Sequence, residues 1–143
     1  YLRLKGATLL DIMAVSRLVS EEAAALACAC EDRGLREMLE QFDADIDQAD
    51  SVAAMIAAEA ELARLVALMS GNPAIELVMA IGYSFGMEEQ GTGLYRDPEQ
   101  RAEARKLQHG LCRAILDHDA DIARLMMRRR SGAMAAWIAG EKS

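Results

Sequence analysis

Aromatic residues make up 4% of this 143-residue chain, and there are only two prolines and three cysteines. Each shortage excludes something. Strands draw on β-branched and aromatic side chains, so their scarcity beside abundant Ala, Leu, Met, Glu and Arg argues for helices throughout. Two prolines leave long helices unbroken. Cys28, Cys30 and Cys112 are odd in number and lack zinc-type spacing, and they read as small apolar residues of a reducing, cytosolic protein. No apolar run reaches the roughly 18 residues of a membrane span, because Glu59, Glu61 and Arg64 interrupt the best candidate. No signal peptide is read at the start. A concentrated basic stripe is also missing: the net charge of −7 argues against a nucleic-acid surface. There is no nucleophile with a base, no useful His/carboxylate pair and no phosphate-binding glycine loop, so catalysis is not expected.

What is present is helical punctuation. The 52% hydrophobic content over 143 residues is enough for one domain with a proper core. A first helix is expected from Thr8 to Cys30, ending near Asp32-Arg33-Gly34, and a second from Leu35 to Gln48. Asp50-Ser51 caps a third, which stops at Ser70-Gly71. Asn72-Pro73 and Asp97-Pro98-Glu99 each place proline at a helix's first position, where its missing N–H costs nothing. The fourth helix, Ala74 to Glu89, is apolar nearly all round (Leu77, Met79, Ile81, Tyr83, Phe85, Met87) and is expected at the bundle's centre. The last runs from Asp119 to Ala139, with acids first and arginines later, as the helix dipole favours. Short loops make this an all-α, antiparallel bundle of about six helices.

Three of its apolar stripes each contain one large polar residue. Glu59 sits among Val52, Met55, Ile56, Leu62, Ala63, Val66 and Met69. Gln108 sits among Ala104, Leu111 and Ile115, and Arg130 among Ala123, Met126, Ala133 and Trp137. Buried charges need partners, so these groups are expected to meet one another or a ligand in an internal pocket.

The chain resembles the FCD domain, the effector-binding and dimerisation domain of FadR-type GntR transcriptional regulators. Residues 11–24, DIMAVSRLVSEEAA, are similar to that family's opening helix; Ser70-Gly71-Asn72-Pro73 is similar to its S-G-N-P turn. Ala114-Ile115-Leu116-Asp117, Asp119 to Arg124 and Met127-Arg128 resemble its closing segments. The resemblance implies a homodimer with an effector pocket that in many members holds a divalent metal on one Asp and three His. The corresponding positions here are Glu59, Ala63, Gln108 and Arg130, a degenerate set from which the metal is expected to be lost. His109, next to Gln108, would need a register shift of about 100° to replace it.

The expectation is therefore a pocket without metal or other cofactor. Arg130 supplies the positive charge, either pairing with Glu59 or holding an effector carboxylate. Gln108 adds an amide, and Tyr83 and Ser84 add hydroxyls. Arg17 is either an effector contact or the surface partner of Glu21. The alternative is a module that only dimerises, its pocket closed by a Glu59–Arg130 pair. Operator DNA would be reached only through a winged helix-turn-helix expected before Tyr1. Gly82 and Gly86 are read as allowing close helix packing, His118 as a loop residue, and Arg128 and Arg129 as solvated.

Overall fold

The computed structural model describes residues 9–90 and 93–142, with side chains for 11–84 and 93–140. Among the described residues there are six α-helices and no strand: α1 (Leu9–Ala27), α2 (Arg33–Asp45), α3 (Val52–Met69), α4 (Pro73–Gln90), α5 (Pro98–Leu116) and α6 (Ala120–Lys142). The all-α expectation stands. A 3-10 turn, Ile46–Gln48, follows α2. The expected start at Thr8, the side chains of Phe85 and Met87, and the surroundings of Gly86 lie outside what is described.

Local chemistry sets the boundaries. The Ser51 hydroxyl accepts from the Ala54 N–H at 3.1 Å, and the Asp97 carboxylate accepts from the Glu99 N–H at 2.8 Å. Gly71 ends α3 at φ +68, a left-handed conformation that glycine adopts without strain. Asn72 then caps α4 by accepting from Ala74 N–H at 3.0 Å. One junction differs from expectation. α1 stops at Ala27, tightened by i→i+3 bonds such as Ala29 N–H to the Leu26 carbonyl at 3.0 Å. Asp32, read from sequence as part of a terminator, instead opens α2, its carboxylate accepting from Leu35 N–H at 3.0 Å. Aspartate is a strong N-cap, and that preference outweighs the turn signal of Gly34.

The main core joins Leu39, Leu62, Leu65, Val66, Leu111, Ile115 and Met127 with the alanines of α1. A second cluster gathers Met55, Leu94, Tyr95 and Ala104 against Trp137. Complete burial of each large side chain contributes roughly 1.5–3 kcal/mol. α1 is the hub, packing on α3, α4, α5 and α6. The central place expected for α4 is not observed: it packs chiefly on α1 and α3, leaving Leu77 62% and Ile81 38% exposed. An all-round apolar helix signals faces to be covered, and this chain covers only part of them. α1 and α6 run antiparallel, as the Glu22–Arg124 and Glu21–Arg128 pairs show. These exposed pairs contribute at most about 1 kcal/mol each.

Gly82 permits the α1–α4 contact. A Cβ there would lie 2.2 Å from the Ser16 hydroxyl and 2.7 Å from Ser16 Cβ. His118 is more than a loop residue. It adopts φ +59, its Nδ1 donates to the Cys28 carbonyl at 2.8 Å, and Arg36 reaches its Nε2 at 3.4 Å. The ring thereby joins the ends of α1 and α5.

His109 does not turn toward Glu59. Its Nδ1 faces Asp43 at 2.6 Å and its Nε2 faces Asp47 at 2.8 Å. Two carboxylates accept, so only the doubly protonated ring satisfies both. Burial works against that charge, but the hydrogen bonds to Asp47 and Asp43 outweigh it and raise the pKa. A raised folded-state pKa means the stabilisation is complete below the ordinary value of about 6.5 and is lost as pH rises through the folded-state value. Thermal melts from pH 5 to 9 should therefore show stability falling across neutrality, and His109→Asn should flatten that slope. For Gly82→Ala, overpacking of about 1–3 kcal/mol should exceed the roughly 1 kcal/mol gain in helix propensity, giving net loss in urea titrations.

Candidate functional site

The periodicity of α3, α5 and α6 dictates that Glu59, Gln108 and Arg130 point inward, and all three meet. Glu59 is 1% exposed and Gln108 0%. The Gln108 amide nitrogen donates to one Glu59 oxygen, and the Arg130 guanidinium pairs with the other. Burial opposes the charge on Arg130, but Glu59 beside it more than compensates, so its pKa is raised. A buried acid thus has both oxygens partnered by groups from two other helices.

Two tyrosines complete the surroundings. Tyr83 on α4 is half-buried, and its hydroxyl donates to the Ile56 carbonyl at 3.3 Å. Burial first, and the Glu59 charge second, push its pKa up. Tyr95, in the α4–α5 connection, is 0% exposed and adopts φ +69, a strained conformation for so large a residue. Its N–H donates to the Gln100 side chain at 3.2 Å, Arg101 donates to its carbonyl at 2.8 Å, and its ring packs edge-on against Trp137 at 6.1 Å. Burial and then Glu59 raise its pKa as well. Sequence reasoning missed Tyr95, because a loop residue has no periodicity. The available signal was an apolar Leu94-Tyr95 pair just before a helix cap.

Among the described residues, three buried polar atoms lack a hydrogen-bond partner: the Tyr95 hydroxyl, Gln108 Oε1 and Arg130 Nε. Such orphans are rare in folded proteins, and all three belong to residues gathered about Glu59.

Beside Arg130 lies a cavity of about 130 Å³. Its polar lining is Arg17, Arg130, Tyr83 and the serines Ser16, Ser20 and Ser131, and methionines and Ala63 supply much of the rest. Of the sequence-predicted residues, Arg17, Tyr83 and Arg130 therefore line the cavity. Glu59 and Gln108 are not on its walls; Glu59 holds Arg130 from the core side and Gln108 in turn holds Glu59. Ser84 lies instead on an outer groove between α3 and α4. Arg17 is exposed at the cavity and does not pair with Glu21, which Arg128 takes at 2.8 Å. Among the described residues, Glu59 balances Arg130 and Arg17 leaves the cavity's lining with one net positive charge.

The donor set does not suit a divalent metal. Glu59 brings one carboxylate, Gln108 a weak neutral oxygen, Ala63 nothing, and the Arg130 guanidinium would repel the ion. Among the described residues no group of three or more His, Cys, Asp or Glu is arranged to hold one.

The family model for the FCD domain matches residues 11–131. The chain belongs to the FCD family. It is thus a regulatory effector-binding domain of the GntR type. No curated protein and no solved structure matches the chain. No described helix of this FCD domain is long and apolar enough to cross a membrane.

Removing one partner of a buried ion pair strands the other charge and typically costs about 3–5 kcal/mol. Glu59→Leu and Arg130→Met should each lose stability on that scale in chemical denaturation. The double variant should be less destabilised than either single one. Equal or additive losses would show that the pair is not the stabilising unit.

Proposed function

We propose that this domain senses a small monocarboxylate in a metal-free cavity and transmits its binding through a homodimer. The observation that carries the reading is the pairing of a charge-balanced Arg130 with an unpaired Arg17 on one partly apolar cavity. A guanidinium forms two parallel hydrogen bonds with a carboxylate, and Arg130 keeps N–H groups that Glu59 does not use, including the orphaned Nε. One surplus positive charge matches a monoanion. Ser16, Ser20 and Ser131 offer further hydroxyls.

Val15 and Leu18 are 54% and 69% exposed on α1, an apolar face suited to a second copy. Effector binding then acts by favouring one arrangement of the two copies over another, as coupling requires. In the whole regulator, that arrangement would set the spacing of DNA-binding modules contributed from outside this chain. The role is regulatory, not catalytic, and its place is the cytoplasm. The ion pair anticipated by the dimerisation-only alternative is present, but it does not fill the cavity beside it.

Titration with acetate, propionate and butyrate should raise the melting temperature by roughly 5–10 °C at about a hundredfold excess over Kd, whereas butyramide should not. Arg17→Gln, at an exposed position that leaves the core intact, should weaken binding tenfold or more. Equal shifts for acid and amide would contradict the sensor. In sedimentation equilibrium the domain should have twice its 15.6 kDa mass, and Leu18→Glu should shift it toward monomer.

A further inference from the structure

The inner cavity is small for its proposed task. Small-molecule pockets typically span about 300–1,000 Å³, and this one measures about 130 Å³. Immediately outside it, α3 and α4 enclose a groove of about 530 Å³. Ala63, Met79 and Tyr83 line both spaces, so they form the partition between them. The groove's floor is largely alanine, with Ala60, Ala67 and Ala80 flanking Leu77. Ala63 contributes the smallest side chain of the partition, a single methyl group. The rest is one flexible methionine and one tyrosine ring. Inner cavity and groove together reach the ordinary range for a ligand site.

Resting on the carboxylate reading, we infer that the effector is an aliphatic monocarboxylate whose head lies at Arg17 and Arg130 and whose tail passes Ala63 into the α3–α4 groove. The groove's lining is mostly apolar and recognises methylenes, while Arg64, Glu76 and Ser84 are its polar members. Ala63 is then the residue that sets chain length, and Met79 and Tyr83 move aside or flank the tail. Adjacency to the cavity, with Ala63, Met79 and Tyr83 lining both, is what assigns the groove to this occupant and not to a separate partner.

Calorimetric titration of the whole chain with straight-chain acids from acetate to decanoate tests this. Affinity should rise roughly fourfold per added methylene beyond butyrate, the increment expected for burying each one. Ala63→Leu should weaken octanoate at least tenfold more than it weakens acetate. Ala80→Trp, a substitution at an exposed groove position, should shorten the favoured chain without disturbing the core. If short acids bind but length brings no gain, or if neither variant alters the profile, the tail assignment fails while the carboxylate reading survives. If no acid of any length binds, that underlying reading fails. Should Ala80→Trp change the oligomer's mass and not the length profile, the groove belongs to a second copy and the proposal is overturned.

Discussion

A carboxylate taken out of water must find a counter-charge or be neutralised, and in this bundle the burial of Glu59 organises much of the interior. At 1% exposure it has lost its solvent, and only groups fixed on other helices can replace it. Gln108 from α5 and Arg130 from α6 do so, which fixes the relative height of three helices. Tyr83 and Tyr95 stand near enough for the same charge to raise their pKa values. Replacing the whole cluster by apolar residues of similar volume need not cost stability, since desolvation of two ions offsets much of their attraction.

The form of the cluster agrees with what the FCD resemblance implies, that Glu59, Ala63, Gln108 and Arg130 stand at positions where many members hold a metal. A divalent ion delivers positive charge to a pocket centre through ligands on several helices. Here a guanidinium occupies one ligand position and carries its own charge. Ala63 removes a side chain from another, and the vacated volume lies where the inner cavity meets the outer groove. On the proposed reading, one exchange would supply an anion-binding group and the second the space beside it.

Helical class and the inward aim of Glu59, Gln108 and Arg130 were legible in sequence because both rest on periodicity. So were the caps at Ser51, Asn72 and Asp97, which depend on adjacent residues. The α1–α2 junction was misplaced because Asp32 is compatible with ending one helix or starting the next, and tertiary packing decides. The position of α4 was misread for a related reason: an apolar sequence reports how much surface wants covering, not which chain covers it. Arg17 was left open between two roles, and its pairing with Glu21 is excluded only because Arg128 of α6 takes that carboxylate, a choice more than a hundred residues away. Tyr95 and the double clamp on His109 come from loops and long-range pairing, where local patterns carry no information.

The central claim is that Arg130, neutralised by Glu59 from behind, is the cavity's anion-binding group. The most direct measurement is the ¹⁵N–¹H resonance of the Arg130 side-chain Nε–H, followed by NMR as butyrate is added. The account predicts a signal protected from solvent exchange in the free protein that moves on binding, in step with the protein's thermal stabilisation. An Arg130 signal that stays fixed while other resonances move to saturation would contradict it.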